Sequence, residues 1–216
     1  MYKICKDIKD SLYVAPNEIR ACCKRFFYKG EIRGDAQLIK IQDGKTPTSS
    51  DLLKARETIF NQIQDIENVI ISIGGGGLIS GVGAFLKQLN PKCKIIGIEP
   101  EGARGMSESI KKGYAVDNVI INSIADSLCT PLHMPYSFSV AKQVIDEIVT
   151  VKDEEMIQSM KFAAEHLKLF LEPACVAGIA ALAGSLKGRF LNQKTLVILC
   201  GSNIDFDSWH NLIKKK

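Results

Sequence analysis

The run Val69-Ile70-Ile71-Ser72-Ile73 is β-branched or small at every position and lies between polar flanks, which predicts a buried strand. It leads into Gly74-Gly75-Gly76-Gly77 and then into the apolar stretch from Leu78 to Leu86, which predicts a helix stopping near Asn90-Pro91. A second short apolar strand is predicted at Lys94–Ile98, ending in Glu99-Pro100-Glu101-Gly102. Strand, crossover helix and strand in this order predict a right-handed βαβ unit with parallel strands. Further on, Ser107–Lys112 predicts a helix ended by Gly113, and Pro135–Val144 leads into a strand at Glu147–Val151. Asp153 predicts the cap of a long helix from Glu154 to Leu169, with apolar positions at Met156, Met160, Ala163, Ala164 and Leu167. The pattern breaks at Leu171-Glu172-Pro173-Ala174 and resumes as a small-residue helix over Ala177–Leu186. Thr195–Leu199 predicts a strand covered on both faces, ending in Cys200-Gly201-Ser202-Asn203. The alternation of strands and helices makes this an α/β chain with a parallel sheet.

The amino-terminal quarter is patterned differently. Asn17–Phe27 predicts a helix and Ala36–Ile41 a short strand with period-two alternation, together a βαβ-type half unit. Gly44–Ser50 shifts to Lys, Thr, Pro and Ser and reads as a linker, after which Ser50 caps a predicted helix through Gln62. The expected division is therefore residues 1–49 and 50–216.

Composition narrows the class. With 216 residues, 46% of them hydrophobic, the chain can bury one core, or one domain plus part of a second. The formal charge of +4 is spread along the sequence apart from Lys214-Lys215-Lys216, so no nucleic-acid-binding stripe is indicated. Seven cysteines without a Cys-x-x-Cys pair indicate neither a zinc site nor a disulfide framework. Residues 1–11 lack the apolar run of a signal peptide, and no segment reaches the ~20 apolar residues of a membrane span. A cytoplasmic protein without nucleic-acid or membrane partners is the expectation.

The glycine turn carries the clearest chemistry. Without Cβ atoms its backbone approaches a ligand closely, and its amides converge on an anion at the positive end of the following helix. Glu99, at the tip of the next strand, would also suit a dinucleotide fold, but the required Gly-x-Gly-x-x-Gly is missed: starting at Gly75, the third glycine position holds Ser80. Asp126 reads equally as a helix cap or a site residue. Glu172, between Leu171 and Pro173, is either a surface residue or a buried carboxylate that requires partners. His166 reads as a surface or satisfied core histidine.

Taken together, Gly74–Leu78, Glu99-Pro100-Glu101-Gly102-Ala103, Ile124-Ala125-Asp126, Leu171-Glu172-Pro173 and Leu199–Asp205 occur in the order and spacing of the fold-type II pyridoxal-phosphate enzymes. The chain most resembles their serine/threonine dehydratase and serine racemase branch, over roughly residues 50–212. The resemblance implies the tryptophan synthase β-like three-layer parallel sheet, with residues 1–49 as a remnant of the small domain. It implies pyridoxal 5'-phosphate as cofactor, its phosphate held by Gly74, Gly75, Gly76, Gly77 and Leu78, with Cys200 beside the pyridine nitrogen and Asn203 in the same turn. Ser202 stands where the family more often has glycine. Glu172 and Asp126 become the substrate-side acids. The implied reaction is β-elimination of L-serine or L-threonine to a 2-oxo acid and ammonia, and the implied assembly is a homodimer. Relatives also place a divalent cation at the equivalents of Glu99 and the Ala103 carbonyl, but the third ligand position here is Gly105. The family's Schiff-base lysine lies in a Ser-Phe-Lys-x-Arg-Gly segment that is not found in this sequence. Glu31-Ile32-Arg33-Gly34 imitates only its tail, with Glu31 in the lysine place and the wrong spacing, and Gly34–Ile39 aligns better with a later family stretch just before a strand of the small domain. The expectation is accordingly an N-terminally truncated relative, catalytic or merely binding.

Overall fold

The computed structural model describes residues 66–214 and, nearer the amino terminus, the backbone of five strands. By internal contacts the chain divides into two compact units, Met1–Ile66 and Glu67–Lys216. In the first unit, β1 (Leu12–Ala15), β2 (Glu18–Ala21) and β5 (Gln37–Lys40) form an antiparallel sheet in the order β1-β2-β5. β3 (Phe26–Tyr28) and β4 (Glu31–Arg33) form an antiparallel pair. The expected strand at Ala36–Ile41 is β5, but the helix expected over Asn17–Phe27 is replaced by β2 and β3, and no βαβ half unit forms among these elements. Cross-strand partners decide here: β2 is flanked on both edges, and such pairing overrides a weak helical periodicity. The linker, the expected boundary near residue 50 and the helix from Ser50 to Gln62 lie outside the described residues.

The second unit is built on four parallel strands in the order β8-β7-β6-β9, where β6 is Asn68–Ser72, β7 Lys94–Pro100, β8 Glu147–Val151 and β9 Thr195–Val197. Successive residues of the central strands face opposite layers. On one side, Ile95 and Gly97 of β7 face α1 (Gly77–Leu89), which packs against α3 (Pro135–Val144). On the other, Ile70, Ile96 and Ile98 join the main core with α4 (Asp153–Phe162) and α5 (Pro173–Ala183). Small residues set both distances. A methyl group on Gly83 would fall 2.7 Å from Val144 Cγ2, and one on Gly178 would fall 2.8 Å from Val197 Cγ1. The three-layer parallel architecture is the one implied by the family resemblance.

Two expectations around α4 are corrected. The α-helix ends at Phe162, followed by a π-helical turn over Ala163–Leu167 that closes at Lys168, φ 56°. The Lys168 amide bonds the Ala163 carbonyl five residues back, and the Leu169 amide reaches the same carbonyl at 3.1 Å, so one acceptor closes the wide turn. Asp153 does not cap this helix: its carboxylate accepts from Ser123 Oγ (2.6 Å) and the Ile124 amide (3.0 Å), while Glu155 Oε2 takes the Lys152 amide at 2.7 Å. An anchor for the segment before Asp126 outcompetes the local cap. α2 (Gly105–Lys112) ends at Gly113 as expected, and α6 (Phe206–Lys214) docks through buried Trp209, whose Nε1 donates to the Leu171 carbonyl at 3.2 Å.

Glu147 at the start of β8 takes a two-pronged hydrogen bond from Arg189, 2.7 Å at Nη1 and 2.5 Å at Nη2, which holds its carboxyl below the ordinary glutamate range. A carboxyl lowered by folding stabilises the native state above its unfolded pKa and loses that contribution as pH falls through its folded pKa. Both side chains are over a third exposed, so Arg189→Ala should cost less than about 1 kcal/mol in urea denaturation at neutral pH. The gap between variant and parent should narrow as the medium is taken below the carboxylate range.

Candidate functional site

β6 and β9 are adjacent in the sheet although the chain forms one first and the other last, so the winding direction reverses between them. At such a reversal the turns leaving two parallel strands open a crevice at their carboxyl ends. Here those turns are Gly74–Gly77, after β6, and Cys200–Asn203, after β9.

The glycine turn is shaped by contacts that admit no side chain. Gly74 rests on the 3-10 turn Asp126–Leu128, where an added methyl would fall 2.9 Å from the Ser127 carbonyl oxygen and 3.2 Å from Leu128 Cα. Gly76 is the N-cap of α1 with φ 86°, a region closed to most L side chains, and a methyl there would fall 2.8 Å from Met106 Cε. At Gly77 a methyl would meet nothing within 4 Å. No acidic side chain occupies the first turn of α1 and no side chain caps it. The amides that every helix start leaves without intrahelical acceptors therefore remain available at the positive end of α1. At the carboxyl end of β6 the Ser72 hydroxyl is buried with no partner among the described residues. Such an orphan calls for a bound group or an ordered water. The amides of the glycine turn and the start of α1 fit a phosphate-sized anion.

Glu172 joins the two sides of the crevice. Its carboxylate is buried, 5% exposed, and accepts from Ser127 Oγ at 3.0 Å and from the Asn203 amide at 2.7 Å. Gly201 has φ 148°, and a methyl on it would fall 2.4 Å from Glu172 Oε1. The buried-carboxylate alternative thus holds for Glu172. Asp126 is exposed and its carboxylate accepts the neighbouring Ser127 amide at 2.7 Å, inside a 3-10 turn closed by the Leu128 and Cys129 amides. Asp126, Glu172, Ser202 and Asn203 also line an open cavity of about 690 Å³, together with Asp205. Gly74–Leu78 and Cys200 are not part of that lining. Cys200 is exposed at the end of the run that begins with β9. His166 is exposed and meets Phe162 in a tilted ring contact, centroids 4.8 Å apart.

Glu99 is placed differently from a cation ligand. At 1% exposed, its Oε1 accepts the Met106 amide at 2.6 Å and its Oε2 accepts the Ser107 amide at 3.0 Å and the Ser107 hydroxyl. Burial pushes its carboxyl up, against the pull of these hydrogen bonds. It caps α2 from a distance. Among the described residues no three His, Cys, Asp or Glu side chains come together as a metal site.

One residue escaped the sequence reading. His133, 4% exposed, places Nε2 3.0 Å from the Gly74 carbonyl oxygen and Nδ1 3.3 Å from Ser109 Oγ. Its partners lie 59 and 24 residues away, and one of them is backbone, so no local spacing marks it.

The profile of the family described as "Pyridoxal-phosphate dependent enzyme" matches residues 47–201. This chain belongs to that family. It is 42% identical over 146 residues to a phenylserine dehydratase of Ralstonia pickettii, covering 68% of this chain and 45% of the relative. It is 31% identical over 161 residues to the serine racemase of Schizosaccharomyces pombe, covering 74% and 50%. Among solved structures, processed threonine deaminase isoform 2 of Solanum lycopersicum superposes with a TM-score of 0.67 at 31% identity, covering 77% of this chain and 50% of that one. The chain thus spans about half the length of these relatives. The family's cofactor is pyridoxal phosphate, and the glycine turn and the start of α1 are the groups here that fit its phosphate end. Bound, the cofactor supplies an electron sink beside the substrate's α-carbon.

Gly76→Ala should destabilise the fold by about 1–2 kcal/mol through its left-handed backbone, whereas Gly77→Ala, at a helix start with open space around it, should be neutral or slightly stabilising in the same chemical denaturation series. Glu172→Ala removes the acceptor of the half-buried Asn203 amide and of Ser127 Oγ, and a loss of about 1 kcal/mol is expected in that series.

Proposed function

We propose that the protein acts as a pyridoxal-phosphate-dependent ammonia-lyase that removes the β-hydroxyl of serine or threonine and releases a 2-oxo acid and ammonia. The observation that carries this reading is the pairing of the glycine cup with the Cys200 turn across the β6/β9 crevice. The cup binds the phosphate through backbone amides, and Cys200 is the side chain for the pyridine nitrogen. A thiol there is a weak partner, not a carboxylate that would hold a proton on the ring, which favours loss of a β-substituent over transamination. Glu172 holds the Asn203 turn in place, and the cavity beside it, with Asp126 on its wall, is the room for the amino acid. The names of the relatives support the substrate class, since phenylserine, serine and threonine all carry a β-hydroxyl. A homodimer is the expected assembly.

A second reading rests on the Schiff-base lysine motif, which is not found in this sequence. Under it, this chain binds the cofactor or another anion without turnover, or pairs with a longer subunit.

The two readings separate in one experiment. The purified chain is incubated with pyridoxal phosphate, reduced with borohydride and mapped by mass spectrometry, while ammonia release is followed with serine, threonine and phenylserine. A single modified lysine together with ammonia release is the expected result. Cofactor retention with neither would leave the binding reading standing and remove the lyase.

A further inference from the structure

We propose that His133 is the positioning residue of the glycine cup and takes the place of the third ligand at the cation site that the family resemblance implies. The inference rests on Gly74–Gly77 being the cofactor's phosphate cup. Its starting point is the contact between His133 Nε2 and the Gly74 carbonyl oxygen at 3.0 Å. A carbonyl only accepts, so Nε2 carries the proton and donates it. The imidazole is buried and its loop is fixed by backbone bonds, His133 N–H to the Val116 carbonyl and Val119 N–H to the Pro131 carbonyl, both 2.9 Å. Ser109 completes the brace: its hydroxyl donates to the Gly105 carbonyl at 2.8 Å, accepts from the Val116 amide at 3.1 Å and lies 3.3 Å from His133 Nδ1. One ring therefore connects the end of β6 to the first turn of α2.

The same ring fills the corner in which a cation would need its third ligand. A methyl group on Gly105 would fall 2.6 Å from His133 Cε1 and 3.2 Å from Nδ1, so an acidic side chain at this position would collide with the imidazole. Glu99 is equally committed, since both its oxygens accept hydrogen bonds from Met106 and Ser107 at the start of α2. The residues around Glu99, Ala103 and Gly105 do not fit a divalent cation. The missing acid at 105 and the imidazole against it are two halves of one arrangement.

The test reads the cup itself and needs no cofactor turnover. Backbone 15N order parameters are followed at residues 74–78 in the parent chain, in His133→Ala and in His133→Gln, whose side-chain amide can still donate to the Gly74 carbonyl. Each is measured with EDTA and with added magnesium or calcium. Loss of the hydrogen bond to Gly74 should drop the order parameters of the cup from the rigid-backbone value of about 0.85 to below about 0.6 in His133→Ala, with substantial recovery in His133→Gln and no response to either cation in the parent. Cation-dependent rigidity of the parent's cup would overturn the proposal, as would unchanged order parameters in His133→Ala. If His133→Ala fails to fold, the parent and His133→Gln decide alone: a rigid, cation-insensitive cup in both supports the proposal, and a loosened cup in His133→Gln overturns it. Failure of pyridoxal phosphate to bind the parent would count against the cofactor reading, while the order parameters would still decide how the cup is held.

Discussion

The reversal of winding between β6 and β9 is the constraint on which the rest of the site depends. Because these two parallel strands are neighbours, the turn after each is delivered to the same edge of the sheet, one departing toward α1 and the other toward α6. Within a parallel sheet the ladder consumes the backbone amides of the inner strands, so a ligand is met by the turns at the strands' carboxyl ends, and the reversal brings two of them together. The glycine cup and the cysteine turn are therefore brought together by topology, across more than a hundred residues of chain.

Topology alone leaves those turns loose, and three buried polar contacts hold them. Glu172 joins Ser127 to Asn203, His133 holds the Gly74 carbonyl, and Glu99 caps the helix whose Met106 packs under Gly76. Each would be costly in isolation. Burying a carboxylate unpaired would raise its energy by far more than a single hydrogen bond recovers, and both carboxylates here accept at least two. The raised carboxyl of Glu99 records how strongly burial still weighs against the charge. These contacts set the backbone of the cup from beneath, which leaves its amides free above.

Much of this was legible beforehand because strong periodicity belongs to long, buried elements. The βαβ unit, α2 with its terminal Gly113, β8 and the small-residue helix α5 all stand where their patterns placed them, give or take a few residues. The glycine turn was legible for a different reason: four glycines in a row have no ordinary structural use. Where the reading failed, short segments were involved. Asn17–Phe27 could satisfy either period, and the strands β1 and β5, not its own residues, decided it. Asp153 was read as a cap because caps are local, yet Ser123 and Ile124, distant in sequence, claimed its oxygens.

The sequence by itself determined most of the strands and helices in residues 66–214, though not α6 or the π-helical turn after α4, that the glycine turn begins a helix, and that the motifs are those of the pyridoxal-phosphate family, because these follow from side-chain periodicity and from residue types at close spacing. Only the tertiary structure decided which groups hold the turn. Glu172 against Gly201, Gly74 against Ser127 and His133 on the Gly74 carbonyl are contacts between segments separated by 29 to 59 residues, and two of them involve backbone atoms that every residue possesses. A backbone carbonyl has no signature in a sequence. Its partner is known only once the chain has folded back to it.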